Sequence, residues 1–544
     1  VPSSALRDRI GGLLMTGFAG TDMAGVPLDL AGQLAGVILF KHNLRSVSQI
    51  RELTDGLRER WRAGNAGRSD GPPLIAIDQE GGTVSRLAGI GTTTPSAMAL
   101  GAARDPGATE QMYRIIGAEL AALGVNLNYA PVADVNNNPD NPVIGIRSFG
   151  EDPQSVAAHV TAAIAGLHSA GVGATAKHFP GHGDTSVDSH SDLPVIKHDA
   201  SRLRAFELVP FGAAVAAGVD AIMTAHILFP AFGEESTPAT LSHALLTGVL
   251  RAELSFDGVI CTDCMEMNAI AAHHTPENAA VMAVAAGADL VQFSHSPDKV
   301  RAALQGLREA LDDGRLAPDQ VERSLERVAR VRHKRALLDP QSGSLPSDPL
   351  HAVGGEQHQQ AALDVARRAV TVIRDPHKVL PVRISSGQRV FVVRFSADMH
   401  TPVEDKGSLQ QTAMGKVFAG QGARVHEQTR TVDPAGHEYK QLLMASGAAD
   451  FIVALTARAG QHPLQARAVS DLMMLGKRVV AVATREPYDA RILPADMTVV
   501  AAFGDDPHAL QAAAEVICGT SVAVGSSPVT IGPDSQTAAE KSVP

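Results

Sequence analysis

Seven short apolar runs, spread through the first 340 residues and separated by longer alanine-rich stretches, constrain this chain more than any other feature. They occupy residues 36–40, 74–77, 125–129, 173–176, 221–224, 258–261 and 288–291 and are continuous rather than alternating. Continuous runs of that length suit strands covered on both faces. The intervening stretches, such as residues 155–170 and 203–217, repeat apolar positions with helical spacing. Strand, helix, strand in repetition predicts parallel β/α units. With one further strand not located by its pattern, seven become the eight of a closed (β/α)8 TIM-type barrel; an open doubly wound sheet is the rival. Polar groups favour the barrel. Lys41-His42, Asp78-Gln79-Glu80, Asp134, Lys177-His178, His226 and Asp263 stand at or after the ends of successive runs. Barrel enzymes collect their active-site residues from many strand ends in this way, whereas an open sheet concentrates them at one crevice.

A chain of 544 residues is too long for one core. The barrel is assigned to residues 1–338 and a Pro/Ser/Gly/His linker to 339–358. A smaller α/β (αβα) sandwich follows over 359–520, with a helix running into a strand over 361–373 and buried strands at 390–395, 451–455, 479–483 and 499–503. Residues 521–544 lack a packing pattern and are expected to be a disordered tail.

Composition narrows the function. The 47 basic and 58 acidic side chains give a net charge of −11, which offers no electrostatic case for a nucleic-acid partner. Aromatic residues make up 4%, so a small pocket fits better than a stacking groove for long polysaccharides. No run of about 18 apolar residues predicts a membrane span. Residues 1–20 lack a signal-peptide pattern, so cytoplasmic residence is expected, with a processed start suggested by the absent initiator Met. Cys261, Cys264 and Cys518 are too few and too odd for a disulfide framework. The Cys261/Cys264 pair reads as two small side chains at a buried strand end rather than as a metal or redox site.

The densest polar segment is residues 177–190, Lys-His-Phe-Pro-Gly-His-Gly-Asp-Thr-Ser-Val-Asp-Ser-His. Three histidines, two aspartates and a lysine there fit either a metal site or an acid/base dyad with substrate clamps. Its glycines and small hydroxyl residues suit a loop that moves. A second segment, residues 258–267, delivers Asp263 at a strand exit as a nucleophile, a ligand, or the N-cap of the next helix. Asp78 to Arg86 and Asp134 to Gly150 add a carboxylate followed by paired glycines and a long Asn/Pro loop ending in Arg147.

Together the four segments resemble the family 3 glycoside hydrolases, in particular their bacterial β-N-acetylglucosaminidase branch. The Lys177–His190 run, the Asn141-Pro142-Val143-Ile144-Gly145-Ile146-Arg147-Ser148-Phe149-Gly150 run and the Thr262-Asp263…Met267 segment occur intact and in the family's order. The resemblance implies a retaining exo-acting enzyme that releases terminal N-acetylglucosamine (GlcNAc) through a covalent glycosyl–Asp263 intermediate. It gives His190 the acid/base role and Asp188 the partner carboxylate. Asp78, Arg86, Arg147, Lys177 and His178 would hold the sugar, with Asp134, His226 and Met267 in support. No cofactor or metal is implied. Thr83 stands where many members have an Arg, and Cys264 where some have a second Asp.

The chemistry is coherent. A free imidazole titrates near about 6.5, and an adjacent carboxylate favours its charged form, keeping a proton for the leaving oxygen. The chain has no Asp-Glu dipeptide of the kind used by enzymes that recruit the substrate's own acetamide. Four alternatives stay open: a phosphorylase with phosphate as acceptor, since a neutral histidine does not repel it; a β-glucosidase or xylosidase; a silent sugar-binding module; and a metal-dependent hydrolase.

Overall fold

A computed structural model describes residues 4–64, 71–186, 193–233, 235–336, 352–396 and 412–532. Eight parallel strands close a barrel: β1 (Leu14–Thr16), β2 (Gly36–Leu39), β3 (Leu74–Ile77), β6 (Leu127–Asn128), β7 (Gly173–Phe179), β8 (Ala221–Thr224), β9 (Val259–Cys264) and β10 (Leu290–Phe293). A ribbon of β4 (Gln79–Gly81) and β5 (Val84–Ser85) rises between β3 and β6. The strand missing from the apolar pattern is β1, which pairs with β10 and β2 and seals the barrel. At three residues it is too short to stand out from its apolar neighbours. Strand β6 is shorter than its run, and β9 continues three residues beyond Cys261.

Parity along each strand sorts the side chains. Leu74 and Ala76 of β3, Met223 of β8 and Val259 and Cys261 of β9 fill the barrel interior, together with Tyr129. Ile75 and Ile77 of β3, Ala174 and Ala176 of β7 and Ile260 of β9 pack outward beneath the helices. Successive strand residues face opposite ways, so the next inward positions are Asp78 after β3, Lys177 in β7 and Asp263 in β9. All three lie at carboxyl ends of parallel strands and therefore at one mouth of the barrel.

The second sheet holds β11 (Thr371–Arg374), β12 (Arg389–Ser396), β13 (Arg424–Thr431), β14 (Phe451–Thr456), β15 (Arg478–Ala483) and β16 (Thr498–Ala501), in the order β11-β16-β15-β14-β12-β13. Only β11 runs antiparallel. Val390 and Val392 pack on one face and Phe391, Val393 and Phe395 on the other, so the sheet is covered on both sides. Strand β13 escapes the apolar pattern because it is a polar edge strand with alternating exposure.

The two units share a core. Met98, Ala99, Ala102 and Ile146 of the barrel unit pack with Ala369, Ala501, Phe503 and Val529. Val529 belongs to the segment assigned as a tail, of which residues 526–530 lie against the barrel. The Ser526 N–H donates to the Ala102 carbonyl, the Glu151 N–H to the Pro528 carbonyl and the Thr530 N–H to the Glu151 carboxylate. Buried Val529, the Glu151 carboxylate and backbone hydrogen bonds hold it there, and such scattered contacts leave no compositional trace. The helix Glu356–Ala369 begins inside the stretch read as linker, just after Gly354 donates to Glu119 Oε1 at 3.0 Å.

Candidate active site

Asp263 stands half-exposed at the exit of β9, where its Oδ1 accepts the Cys264 N–H at 2.7 Å. It does not cap the next helix, Asn268–Ala271, whose N-cap position is Met267. His226, next to the end of β8, braces this exit. Its Nε2 lies 2.9 Å from the Cys264 carbonyl and its Nδ1 2.8 Å from Thr240 Oγ1, so both ring nitrogens are engaged by the protein. Cys261 and Cys264 are free and buried; burial pushes both thiols up, that of Cys264 to about 11.

Opposite Asp263, buried charges alternate in sign. Lys177 Nζ lies 2.7 Å from Asp78 Oδ1 and 2.7 Å from Glu80 Oε1. Glu80 in turn takes Arg147 through two oxygens, at 2.8 and 2.9 Å. Burial would raise the Glu80 carboxyl, but Arg147 and Lys177 hold it far below the usual carboxylate range. Burial would lower the Lys177 ammonium, yet Asp78 and Glu80 keep it above its ordinary value. Arg86 completes the rim, with Nη2 3.8 Å from Asp78 and its guanidinium 5.7 Å from the Phe40 ring centre.

His178 sits between this chain of charges and Asp134. Its Nδ1 is 2.7 Å from Asp134 Oδ2, and its Nε2 is 3.4 Å from Arg147 Nη2. A guanidinium only donates, so in the neutral ring Nε2 carries the lone pair and Nδ1 the proton. Asp134 is fully buried and also accepts the backbone N–H groups of His178 and His182. Burial opposes its charge, but His178 and His182 prevail and its pKa falls. The His182 imidazole also falls, to about 4, through burial and the neighbouring His178.

Shared electrostatics tie the two sides of the mouth together. Burial raises the Tyr129 phenol well above its usual range, and the charges of Asp78 and Asp263 both add to the rise. Cys261 likewise feels Asp263 and, in the opposite sense, Lys177. Asp78, Arg86, Asp134, Arg147, Lys177 and His178 thus form one connected cluster facing Asp263. His226, from the end of β8, contacts the Cys264 carbonyl beside Asp263, and Met267 follows Asp263 in its own segment. Asp188 and His190 lie outside the described residues.

Glu80 was not singled out among the candidate site residues, although it binds two of them. The available signal was a second carboxylate two residues after Asp78, with two distant cations in need of a counter-charge. Among the described residues no cluster of three or more His, Cys, Asp or Glu is arranged to hold a metal, and no helix is long and apolar enough to cross a membrane.

Comparison with known proteins places this geometry. Residues 5–331 match the glycosyl hydrolase family 3 N-terminal domain. A beta-hexosaminidase A from Pseudoalteromonas piscicida is 31% identical, over 92% of this chain and 89% of that protein. A beta-hexosaminidase from Stenotrophomonas maltophilia strain K279a is 37% identical, over 54% of this chain and 87% of its own length. The solved structure of a glycoside hydrolase family 3 beta-N-acetylglucosaminidase from Paenibacillus sp. str. FPU-7 superposes with a TM-score of 0.89 at 36% identity, covering 97% of this chain and 99% of that one.

Proposed function

The chain belongs to glycosyl hydrolase family 3, and from that premise we propose that this glycoside hydrolase is a retaining, exo-acting β-N-acetylglucosaminidase. Asp263 attacks C1 of a terminal GlcNAc residue while His190 gives its proton to the departing glycosidic oxygen. The resulting glycosyl–Asp263 ester is then displaced by water, whose proton returns to His190. Asp188 orients the imidazole and favours its charged form. His190 and Asp188 take these roles from the sequence motif.

The observation that carries the reading is the inward register of Asp78, Lys177 and Asp263 on three strands of one barrel mouth. It faces the Asp263 carboxylate with donors and acceptors able to grip a pyranose ring. Lys177 and Arg147 can only donate; Asp78 accepts. The beta-hexosaminidase and beta-N-acetylglucosaminidase names of the relatives support the acetamido sugar.

The test is product analysis on p-nitrophenyl GlcNAc and on GlcNAc disaccharides, with and without phosphate. Free GlcNAc should appear at the same rate in both buffers; a sugar 1-phosphate would overturn the choice of water as acceptor. A fluorinated N-acetylglucosaminyl donor should label Asp263, and Asp263→Ala should lose at least about 10³-fold in kcat. A label on any other residue would overturn the assignment of the nucleophile.

A further inference from the structure

The second domain reaches the site through one buried ion pair. Arg458 and Glu486 stand just beyond the carboxyl ends of β14 and β15, with Nη2 and Oε1 3.1 Å apart. Their side chains are 6% and 7% exposed. Each also grips the backbone of the loop that presents Arg147. Glu486 Oε1 accepts the Ile146 N–H at 3.2 Å, and Arg458 Nη1 donates to the Pro142 carbonyl at 2.8 Å.

The fit on both sides is close. Gly145 has φ +46°, and a Cβ there would lie 1.7 Å from Glu486 Oε1, so only glycine allows the carboxylate this near. Within the second domain, Asp489 Oδ1 accepts the Ala459 N–H at 2.6 Å and fixes the turn that carries Arg458. Asn136 Nδ2, at the start of the same barrel loop, donates to the Tyr488 hydroxyl at 3.2 Å. Arg147 follows Ile146 directly and ends on Glu80, next to His178.

A buried ion pair contributes little net stability against an apolar replacement, because desolvation offsets the attraction. What this pair contributes is direction. We propose that the Arg458–Glu486 pair is a positioning device by which the second domain locks the loop over residues 142–146 and so aims Arg147 at the sugar. Neither residue needs to touch the substrate; both act through Arg147. The proposal rests on the role given above to Arg147 in holding the sugar.

The experiment is a double-mutant cycle in the full chain on p-nitrophenyl GlcNAc, joined to hydrogen exchange. Glu486→Ala should raise KM between about 10-fold and 100-fold with a smaller change in kcat, because a grip on the ring is lost rather than a reacting group. Glu486→Gln, which keeps an acceptor for the Ile146 N–H, should recover part of the loss. In an Arg147→Ala background the same Glu486→Ala change should alter KM by less than about twofold. Multiplying losses would overturn the proposal. Exchange at residues 143–148 should quicken by about tenfold or more in Glu486→Ala; unchanged exchange would also overturn it. If Glu486→Ala fails to fold, Arg458→Met, which removes the Pro142 contact and the ion pair but keeps the Glu486 contact to the Ile146 N–H, is read by the same cycle. A wild-type chain inactive on N-acetylglucosaminides would sink the functional reading while leaving the exchange result to decide the clamp.

Discussion

Glu80 shows how much of this site depends on charge balance. It lies between Lys177 and Arg147, both nearly buried, and supplies the negative charge that lets the two cations share one small volume. Glu80→Gln keeps the shape and removes the charge. Breaking one partner from a buried pair costs about 3–5 kcal/mol, and the lower figure applies here because Lys177 keeps Asp78. The variant should therefore melt several degrees lower and bind GlcNAc more weakly, as a thermal scan and a titration would register. An unchanged melting temperature would mean that Asp78 alone neutralises Lys177. The Asp134–His178 contact has a different purpose, since it holds the ring in place beside Arg147.

At the scale of elements, two loops meet over the barrel mouth. The segment after β6 carries Asp134 and the segment after β7 carries His182, and their backbones touch. A Cβ at Gly183 would stand 1.7 Å from the Val135 carbonyl oxygen, which is main chain and cannot swing aside. Asn141 Nδ2 bridges the same loops by donating to the carbonyls of His182 at 2.9 Å and Gly183 at 3.0 Å. Gly183→Ala should force the loops apart at a cost of about 1–3 kcal/mol, the usual penalty of overpacking. Its effect on kcat/KM should exceed its effect on stability, because the displaced groups are the supports of His178. Steady-state kinetics beside a denaturant titration separates the two. A loss of stability without a loss of activity would show that the loops need not touch.

On the scale of the whole molecule, the carboxyl ends of β14, β15 and β16 all face the barrel. Arg458 and Glu486 meet the Arg147 loop, and the Phe503 carbonyl accepts the Ser96 hydroxyl at 2.6 Å. Burial alone would raise the Glu486 carboxyl, yet Arg458 and Arg485 hold it at about 2, against 4.5 for a free glutamate. A depressed carboxyl stabilises the folded state above its unfolded pKa and loses that contribution as pH falls. The difference corresponds to about 3 kcal/mol at neutral pH, fully present above about pH 4.5 and gone near pH 2. Glu486→Gln should be less stable at pH 7 and converge on the wild type near pH 2 when unfolding is followed against pH. A constant gap between the two curves would assign the loss to packing instead.

Local patterning determined the barrel, because a strand covered on both faces must be apolar and a helix laid on it must be amphipathic. It also determined which residues crown the barrel: Asp78 and Asp263 continue the inward parity of Leu74, Ala76, Val259 and Cys261. Strands β1 and β13 were illegible for opposite reasons, one too short among apolar neighbours and the other a polar edge. Only the tertiary structure decided which charge meets which. Glu80 finds Arg147 across 67 positions and Glu486 finds Ile146 across 340, and Thr530 finds Glu151 across 379. Periodicity is a property of neighbours in the chain, whereas ion pairing and backbone contact are properties of neighbours in space, and the folded packing alone relates the two.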